Sequence, residues 1–573
     1  MDLGHYIILG ICAVNAVVWG CPQQCQCKNN RILCQGPEIQ DFPSSIPSTT
    51  TALYISISNI SSLKPADFQE FSESLAIFAV KDSRISEVQP HTFDSTHNLI
   101  ALGLTGTDLV TLPENLFQKL QLLTSLTLSN NKLDDLKSSL LSPLQALKIL
   151  DLSKNKLTSI SENAFQGLIH LEQLMVQKNN IKELDTGTFH GLSKLKVLFL
   201  QQNGLKALPS NAFRDLVNLE NLHLQNNAIT HLPANLFTHQ QKLQKLYLSN
   251  NQLTTFPEGI FLNLPILRQI SLYDNQLQSL SAGTFGPMPL KDLWLYDNML
   301  TKLEENVFSN LTHIRLLVLS RNQLSHVSPG AFNGLTDLEE ISLHTNRLVT
   351  LDEGVFRSLP KLVNISLENN MIADLPVKLF DGISNLFQVE LQNNSLPHLR
   401  QELLDDLTKA KSVVLAENPW KCDHDIVPLR DWLRKYPNKV KNITSLTCSS
   451  PSHLADISII NLDNIDTFTT PTSTTSEVES VSPTDKRRRP HTPPPRRSTP
   501  PPAANSTSSP EKGEDTSNDQ KENEAMSTSM HLSIIAVVCT IIIVSIIICV
   551  VCWRRKKQGS QDLRRHPNTN SVI

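Results

Sequence analysis

The sequence predicts an α/β solenoid in which about sixteen short turns of chain stack into a curved parallel sheet. Three observations predict this fold class. An asparagine returns at a nearly constant spacing, two leucines separated by one residue precede it, and a phenylalanine follows it at a fixed distance. Such self-similarity is typical of repeat proteins, in which neighbouring turns share one continuous core.

The recurring asparagine sets a period that is constant along the repeats, except that the interval between Asn275 and Asn298 is shorter by a single position. An amide both donates and accepts hydrogen bonds, so we expect it to satisfy backbone groups where the chain leaves each strand. Upstream, Ser58, Ser83 and Thr107 take this position, and we expect a hydroxyl to replace the amide only partly. The asparagine ladder comprises Asn131, Asn155, Asn179, Asn203, Asn227, Asn251, Asn275, Asn298, Asn322, Asn346, Asn370, Asn394 and Asn418.

Each turn follows the template Leu-x-x-Leu-x-Leu-x-x-Asn-x-Leu, as in residues 123–133, and this template resembles that of leucine-rich repeats. In Leu-x-Leu the two leucines point into the core and the residue between them points outward, as in a β-strand. The sequence therefore predicts a leucine-rich-repeat solenoid. A second column should close its core: Phe93, Phe117, Phe165, Phe189, Phe213, Phe237, Phe261, Phe285, Phe308, Phe332, Phe356 and Phe380, with Leu141 and Leu404 in the same position twice.

The segments outside the repeats predict a single-pass, type I protein of the plasma membrane with an extracellular N-terminus. Residues 1–20 are typical of a signal peptide, the alternative being an uncleaved anchor. Residues 532–553 carry no charge and, at about 1.5 Å per residue, are long enough to cross a membrane as a helix. The basic run 554–557 follows, which places the C-terminus in the cytosol.

These boundaries divide the chain into seven parts. They are the signal peptide (1–20), an N-terminal cysteine cap (21–50), the repeats (51–417), a C-terminal cysteine cap and linker (418–466), a Thr/Ser/Pro-rich stalk (467–531), the transmembrane helix (532–553) and a cytoplasmic tail (554–573). The stalk composition predicts a disordered segment. The tail ends in Ser571, Val572 and Ile573, which either fit the groove of a cytosolic PDZ protein or match that motif by chance.

Part of the sequence carries a resemblance more specific than the repeat template. The segments that carry it are Phe285-Gly-Pro-Met-Pro, Leu293-Trp-Leu-Tyr-Asp-Asn298, Ser320-Arg-Asn322, 328–335, Ser342-Leu-His-Thr-Asn346 and 418–433. They resemble the extracellular leucine-rich repeat membrane glycoproteins, the group of platelet glycoprotein V and the carboxypeptidase N carrier subunit. The resemblance covers about residues 21–450. It implies a cell-surface adhesion glycoprotein that engages extracellular-matrix or cell-surface proteins.

Six cysteines face the predicted exterior, an even number that suits a disulfide-stabilised ectodomain: Cys21, Cys25, Cys27, Cys34, Cys422 and Cys448. The first four resemble an N-terminal cap of extracellular repeat proteins. That resemblance implies the pairs Cys21–Cys27 and Cys25–Cys34, while the sequence itself leaves two other connectivities open.

At the C-terminal cap, His424 stands where the usual pattern has a second cysteine, so we infer one disulfide, Cys422–Cys448. The spacing of Leu429, Trp432 and Leu433 predicts a helix that covers the last turn.

Outward-pointing strand residues should form columns on one side of the sheet, which we call the concave face. On it we predict a ligand-binding aromatic cluster, called the aromatic columns here: Phe199, His223, Tyr247, Tyr273, Trp294 and Tyr296. Exposed aromatic side chains with polar neighbours are typical interface anchors. The alternative is that these rings only pack against their cross-strand neighbours.

Six Asn-x-Ser/Thr sequons predict N-glycosylation, namely Asn59, Asn310, Asn364, Asn393, Asn442 and Asn505. Glycans at Asn364 and Asn393 would shield the C-terminal part of the concave face and direct binding toward the aromatic columns. Five basic residues flank this face and either steer an acidic ligand or form an ordinary solvated edge: Lys196, Lys245, Arg268, Lys291 and Arg315.

The residue patterns favour binding over chemistry. A formal net charge of −4 argues against nucleic acid as the main partner. No pattern for catalysis, for a metal or for a cofactor occurs in the sequence, so we expect a protein that is not an enzyme. The leading interpretation is a cell-surface adhesion receptor that binds matrix or cell-surface proteins through its concave face. The alternatives are an innate-type ligand sensor or signalling co-receptor, and a carrier that stabilises a secreted enzyme.

Overall fold

The structure is a computed structural model that describes residues 20–463. The predicted signal peptide (apart from Gly20), the stalk, the transmembrane helix and the tail with Ser571–Ile573 lie outside the described residues, as does Asn505. Within the described part, the helices are short, and none has the length and apolar character that crossing a membrane requires.

Among residues 20–463, eighteen strands form one main sheet, which is parallel except for its first pair. The strands are Cys25–Lys28, Arg31–Gln35, Ala52–Ser56, Ile77–Lys81, Ala101–Thr105, Ser125–Thr127, Ile149–Asp151, Gln173–Met175, Val197–Phe199, Asn221–His223, Lys245–Tyr247, Gln269–Ser271, Asp292–Trp294, Leu316–Val318, Glu340–Ser342, Asn364–Ser366, Gln388–Glu390 and Ser412–Val414. The strands from Ala52–Ser56 onward provide one strand per turn, so the predicted solenoid of about sixteen turns is confirmed.

The remaining elements lie between these strands or in the C-terminal cap. Two small parallel pairs join Ser62–Leu63 to Glu87–Val88 and Lys302–Leu303 to His326–Val327. The α-helices are Ser138–Leu141, Gln401–Leu407 and Val427–Lys435. The 3-10 helices are Pro65–Phe68, His424–Ile426, Pro437–Lys439, Ile443–Ser445, Ser452–Leu454 and Ile459–Asn461.

Strand register follows the sequence period. Leu174 pairs with Leu198, which pairs with Leu222, and these core leucines are fully buried. The residues on either side of each leucine are mostly half-buried, as alternation along a strand requires. Because each strand residue pairs with its equivalent in the next turn, outward side chains of one repeat position form a straight column on the concave face.

The asparagine ladder makes the hydrogen bonds that the sequence predicts. Asn275 is representative: its Nδ2 donates to the carbonyl oxygens of Leu272 at 3.1 Å and of Leu248, one turn earlier, at 3.0 Å. Its Oδ1 accepts from the backbone N–H of Leu253 at 3.1 Å. Each ladder amide therefore joins two turns while satisfying polar groups inside the core.

In the first turns, serine hydroxyl groups take the position of the ladder asparagine and make fewer hydrogen bonds there. Ser58 and Ser83 bond to each other, Oγ to Oγ at 3.0 Å, and Ser83 Oγ also accepts from the Ser58 N–H at 3.1 Å. Ser83 Oγ donates to a single carbonyl, that of Lys81 at 3.1 Å, and so does not bridge carbonyls of two turns as a ladder amide does. Longer strands, such as Ala52–Ser56 and Ile77–Lys81, supply additional backbone pairing in these turns.

The predicted phenylalanine column is buried, and most neighbouring rings in the central and C-terminal turns stack, with centroids 5.7–6.5 Å apart. The column also contains Phe68, which the sequence analysis did not include, at 5.4 Å from Phe93. Phe68 lies at the same distance after Ser58 as Phe93 lies after Ser83, so extending the repeat one turn upstream would have found it.

Disulfide-containing caps close both ends of the core. Disulfides join Cys21 to Cys27 and Cys25 to Cys34 at the N-terminal end, and Cys422 to Cys448 at the C-terminal end. The predicted cap helix is confirmed as Val427–Lys435, with Leu429, Trp432 and Leu433 buried against the last turn. The indole Nε1 of Trp432 donates to Thr408 Oγ1 at 2.9 Å, which ties the helix to the repeats.

We predict that Asn275→Ala lowers the free energy of unfolding by about 3 kcal/mol, because it removes one of the two amide donors to each of two core carbonyls and leaves the N–H of Leu253 without a partner. Urea unfolding of residues 21–463, followed by circular dichroism, measures this change. The matched control is Asn235→Ala, an exposed asparagine whose side chain bonds only to the Asn211 side chain. That control should change the free energy by less than about 0.5 kcal/mol. Equal unfolding midpoints for the two variants would contradict the role of the ladder.

Candidate functional site

The first aromatic column lies on three consecutive strands of the concave face. The rings of Phe199 and His223 are stacked with centroids 4.5 Å apart, and His223 stacks on Tyr247 at the same distance. Tyr247 Oη donates to Gln269 Oε1 at 3.0 Å in the next turn. All three rings are half-buried rather than fully exposed, because each ring covers a face of its neighbour.

Ser271 interrupts this column, and Trp294 takes the same position one turn later. A second column begins two residues beyond the first, where Tyr273 and Tyr296 stack with centroids 4.5 Å apart and planes 5° apart. The guanidinium of Arg321 continues it at 5.3 Å from the centre of the Tyr296 ring. Arg321 also binds Asp297 through two hydrogen bonds, which fixes its orientation.

The structure thus brings the six predicted site residues onto one face, in two adjacent columns. Cross-strand packing, the alternative interpretation, is present in three ring pairs. Because stacking covers ring faces, a partner would meet mainly ring edges and Tyr hydroxyls. The assignment of these residues to ligand binding stays a prediction.

Stacking also controls the charge of His223. Burial, which is the main cause, and the nearby Lys245 ammonium lower the pKa of His223 to about 4. The imidazole is therefore neutral at physiological pH, which suits its place between two uncharged rings.

The C-terminal part of the concave face carries a group that the sequence analysis missed, the carboxylate pair Glu368 and Glu390. Glu390 accepts from Ser366 Oγ at 2.7 Å and from Gln388 Nε2 at 2.6 Å. Glu368 Oε2 is shielded from solvent and has no donor. Burial, the largest cause, and the neighbouring Glu390 raise the pKa of Glu368 to about 7, against the opposing effect of a backbone N–H.

The flanking basic residues differ in their surroundings. Lys196 pairs with Glu172 at 2.8 Å, and Arg315 lies 3.7 Å from Glu339. These two contacts favour the interpretation of a solvated edge, since paired charges attract a distant ligand only weakly.

The predicted glycosylation sites differ in accessibility. Asn393 and Asn442 are exposed, whereas Asn59, Asn310 and Asn364 are half-buried. The Nδ2 atoms of Asn59 and Asn310 donate to the carbonyl oxygens of Pro37 at 2.6 Å and of Phe285 at 2.9 Å. Asn364 begins the strand Asn364–Ser366 on the concave face, and the last residue of that strand, Ser366, donates to Glu390.

Comparison of sequences matches the chain to the leucine rich repeat family. The matching segments are 73–133, 121–177, 169–229, 217–277, 267–324 and 313–372. They overlap into one stretch from residue 73 to residue 372, which is more than half of the 573-residue chain.

Two curated relatives match over shorter stretches. Nephrocan of Mus musculus is 31% identical over 116 residues, which are 20% of this chain and 22% of nephrocan. Leucine-rich repeat-containing protein 52 of Homo sapiens is 32% identical over 73 residues, 13% of this chain and 23% of that protein. The chain thus matches less than a quarter of either relative's length.

Among solved structures, the chain is similar to one in the glycosylated Toll–Spatzle complex, described as a hub in Drosophila development and innate immunity. The TM-score is 0.55 with 21% identity, covering 76% of this chain and 67% of that chain. A second form of the complex gives a TM-score of 0.51, also at 21% identity. At this identity the similarity shows the fold alone.

We predict that the His223 signal in nuclear magnetic resonance spectra titrates near pH 4 rather than 6.5. The signal is assigned to His223 because it is missing from the spectrum of His223→Phe. The unfolded state binds this proton below about pH 6.5 and the folded state does not, so His223 lowers stability as pH falls from 6.5 toward 4. His223→Phe keeps an aromatic ring in the stack but has no imidazole to take up a proton. Between pH 6.5 and pH 4 its melting temperature should therefore fall by about 1–3 °C less than that of the unsubstituted chain. A midpoint near 6.5 would show that the ring is not shielded by its neighbours.

For Glu368 we predict the opposite dependence on pH. Its raised pKa means that folding takes up a proton between about pH 4.5 and 7, so its contribution to stability decreases as pH rises through that window. Glu368→Gln should therefore melt about 1–2 °C above the unsubstituted chain at pH 8, with no such gain at pH 5. Glu340→Gln, an exposed residue of the same face, serves as the control and should show no difference between the two pH values. An equal gain at both pH values would refute the assigned cause.

Proposed function

Because the chain belongs to the leucine-rich repeat family, we propose that it is a non-catalytic cell-surface adhesion receptor that binds extracellular-matrix or cell-surface proteins through its concave face. The observation that carries this proposal is the pair of aromatic columns on a face that no other element of the described chain covers. Aromatic side chains at interfaces contribute large contact areas with few rotatable bonds.

The stacking geometry supports binding for an energetic reason. Association loses affinity when flexible side chains become ordered at an interface. In the columns, cross-strand stacking, the Tyr247–Gln269 hydrogen bond and the Arg321–Asp297 pair already fix the side chains. A partner therefore meets rigid, half-buried anchors, and little side-chain entropy remains to be lost.

The proposed location is the plasma membrane, with the repeats outside the cell. It is supported by the signal-like residues 1–20, the uncharged segment 532–553 and the basic residues that follow it. Sequons on the repeats and three disulfides fit an oxidising exterior. A cytosolic PDZ protein at Ser571–Ile573 belongs to the same proposal.

The finer family assignment is also part of the proposal. Residues 285–433 resemble leucine-rich repeat-containing protein 15, and that resemblance favours adhesion to matrix proteins. The alternative is a ligand sensor or signalling co-receptor. It is consistent with the fold shared with the Toll–Spatzle complex. The two functions differ in the partner that they require, which is an immobilised matrix or cell-surface protein for adhesion and a soluble secreted ligand for sensing.

We predict that replacing Tyr247, Trp294 and Tyr296 together with Ala lowers partner binding by about 100-fold or more, while secretion stays normal. The measurement is binding of residues 21–463 to surfaces coated with collagen, fibronectin or laminin, and to intact cells. Binding of the unsubstituted protein to none of these surfaces would contradict the adhesion function.

The matched control replaces three exposed apolar residues outside the strands with Ala. They are Ile169, Leu262 and Val349, with exposures of 53%, 50% and 52%. We expect this control to bind as the unsubstituted protein does. If the aromatic triple variant also binds normally, the concave columns are structural only.

A further inference from the structure

A cluster of metal-ligating side chains lies where the last repeats meet the C-terminal cap. His398 belongs to the repeats, shortly after the ladder residue Asn394, whereas Asp423 and Asp425 belong to the cap. One ligand atom from each of the three residues can be chosen so that all three lie within 4.8 Å of one another. Neither the aromatic columns nor the asparagine ladder involves this cluster.

Backbone structure holds the two aspartates in place. Asp423 follows Cys422, which the disulfide to Cys448 anchors in the cap. Asp423 also precedes the 3-10 helix His424–Ile426, and its Oδ1 accepts from the N–H of Asp425 at 3.0 Å. This turn directs both carboxylates to the same side of the chain.

The contact between His398 and Asp423 is not an ordinary hydrogen bond. His398 Nε2 lies 2.8 Å from Asp423 Oδ1, yet the ring N–H does not point at that oxygen. The same nitrogen is shielded from solvent and has no other partner. Two ligand atoms that share a tetrahedral Zn²⁺ at about 2.0–2.1 Å lie roughly 3.3 Å apart, so binding an ion requires His398 Nε2 and Asp423 Oδ1 to separate by about 0.5 Å from their present 2.8 Å.

The charges around the cluster leave its ligand atoms available. Lys421 Nζ pairs with Asp423 Oδ2 at 2.8 Å, on the carboxylate oxygen that does not face His398. Arg400 is compensated by Asp374, with 2.6 Å between Nη2 and Oδ2. Asp425 has an exposed carboxylate that can rotate toward an ion.

We propose that His398, Asp423 and Asp425 form a Zn²⁺ site that fixes the C-terminal cap to the last repeats. One imidazole with two carboxylates suits zinc, whereas calcium prefers an all-oxygen shell of six to eight ligands. Water completes the coordination from the adjoining cavity of about 480 Å³, which His398 and Asp425 both line. The disulfide Cys422–Cys448 lies within the cap, so among residues 395–463 no disulfide cross-links the cap to the repeats, and the ion would supply such a cross-link.

The test uses the purified full chain, stripped of metal with a chelator and titrated calorimetrically with ZnCl₂ and, separately, with CaCl₂. The expected result is one Zn²⁺ bound per chain at this site, weaker or undetectable binding of Ca²⁺, and a melting temperature raised by about 2 °C or more at saturating zinc. Asp425→Asn keeps the shape of an exposed side chain and should weaken zinc binding at least about tenfold. His398→Ala should abolish binding at this site.

The matched control is His424→Ala, which removes an imidazole from the same cavity but not from the cluster. It should bind zinc as the unsubstituted chain does. The proposal is overturned if the chain binds no zinc, if it binds calcium in preference, or if His424→Ala loses binding while His398→Ala retains it. It is also overturned if zinc leaves the melting temperature unchanged and His398→Ala lowers it equally with and without metal, which is the behaviour of a plain His–Asp pair.

Discussion

The structure depends on one requirement, which is that backbone polar groups inside the solenoid find partners at the point where each turn leaves the sheet. A residue there must accept one N–H and donate to two carbonyls belonging to different turns, as Asn275 does. Only a primary amide on a short side chain offers both functions within that distance. This requirement keeps the spacing of the ladder nearly constant, since an amide can bridge two turns only if both reach the same depth in the core.

The concave face follows from the same requirement. The ladder fixes the register so that residue pairs such as Phe199 and His223, or Tyr273 and Tyr296, lie directly opposite each other. Core leucines, ladder amides and the phenylalanine column carry the structural interactions of each turn. The outward strand residues carry none that is needed for folding. They are therefore free to differ from turn to turn, and a series of neighbouring aromatic residues in these positions becomes a rigid column.

Prediction from sequence succeeded where a single repeat determines the outcome. The strand leucines and the ladder follow from a pattern that recurs in many turns. The cap helix with Trp432 follows from the helical spacing of its apolar residues. Phe68 has the regular offset from Ser58, so the sequence carried the signal for it, and the predicted column simply began one turn too late. Glu368 and Glu390 occupy different positions of two neighbouring turns. Aligning one turn with the next therefore does not place them side by side, and the sequence analysis missed the pair. His398 and Asp423 belong to different parts of the chain and meet only because the cap folds back on the last turns.

The electrostatics of the concave face vary along its length for physical reasons that the sequence does not show. In the centre, stacking keeps His223 neutral and Arg321 is bound to Asp297, so the aromatic columns present a surface whose charge changes little near neutral pH. Toward the C-terminal end, Glu368 has a pKa of about 7 because burial and Glu390 oppose its ionisation. A partner that places a cation beside Glu368 would favour the ionised form and gain affinity as pH rises, whereas contacts confined to the columns would not respond. Dependence of binding on pH near 7 therefore distinguishes a partner that extends along the whole face from one that occupies its aromatic centre alone.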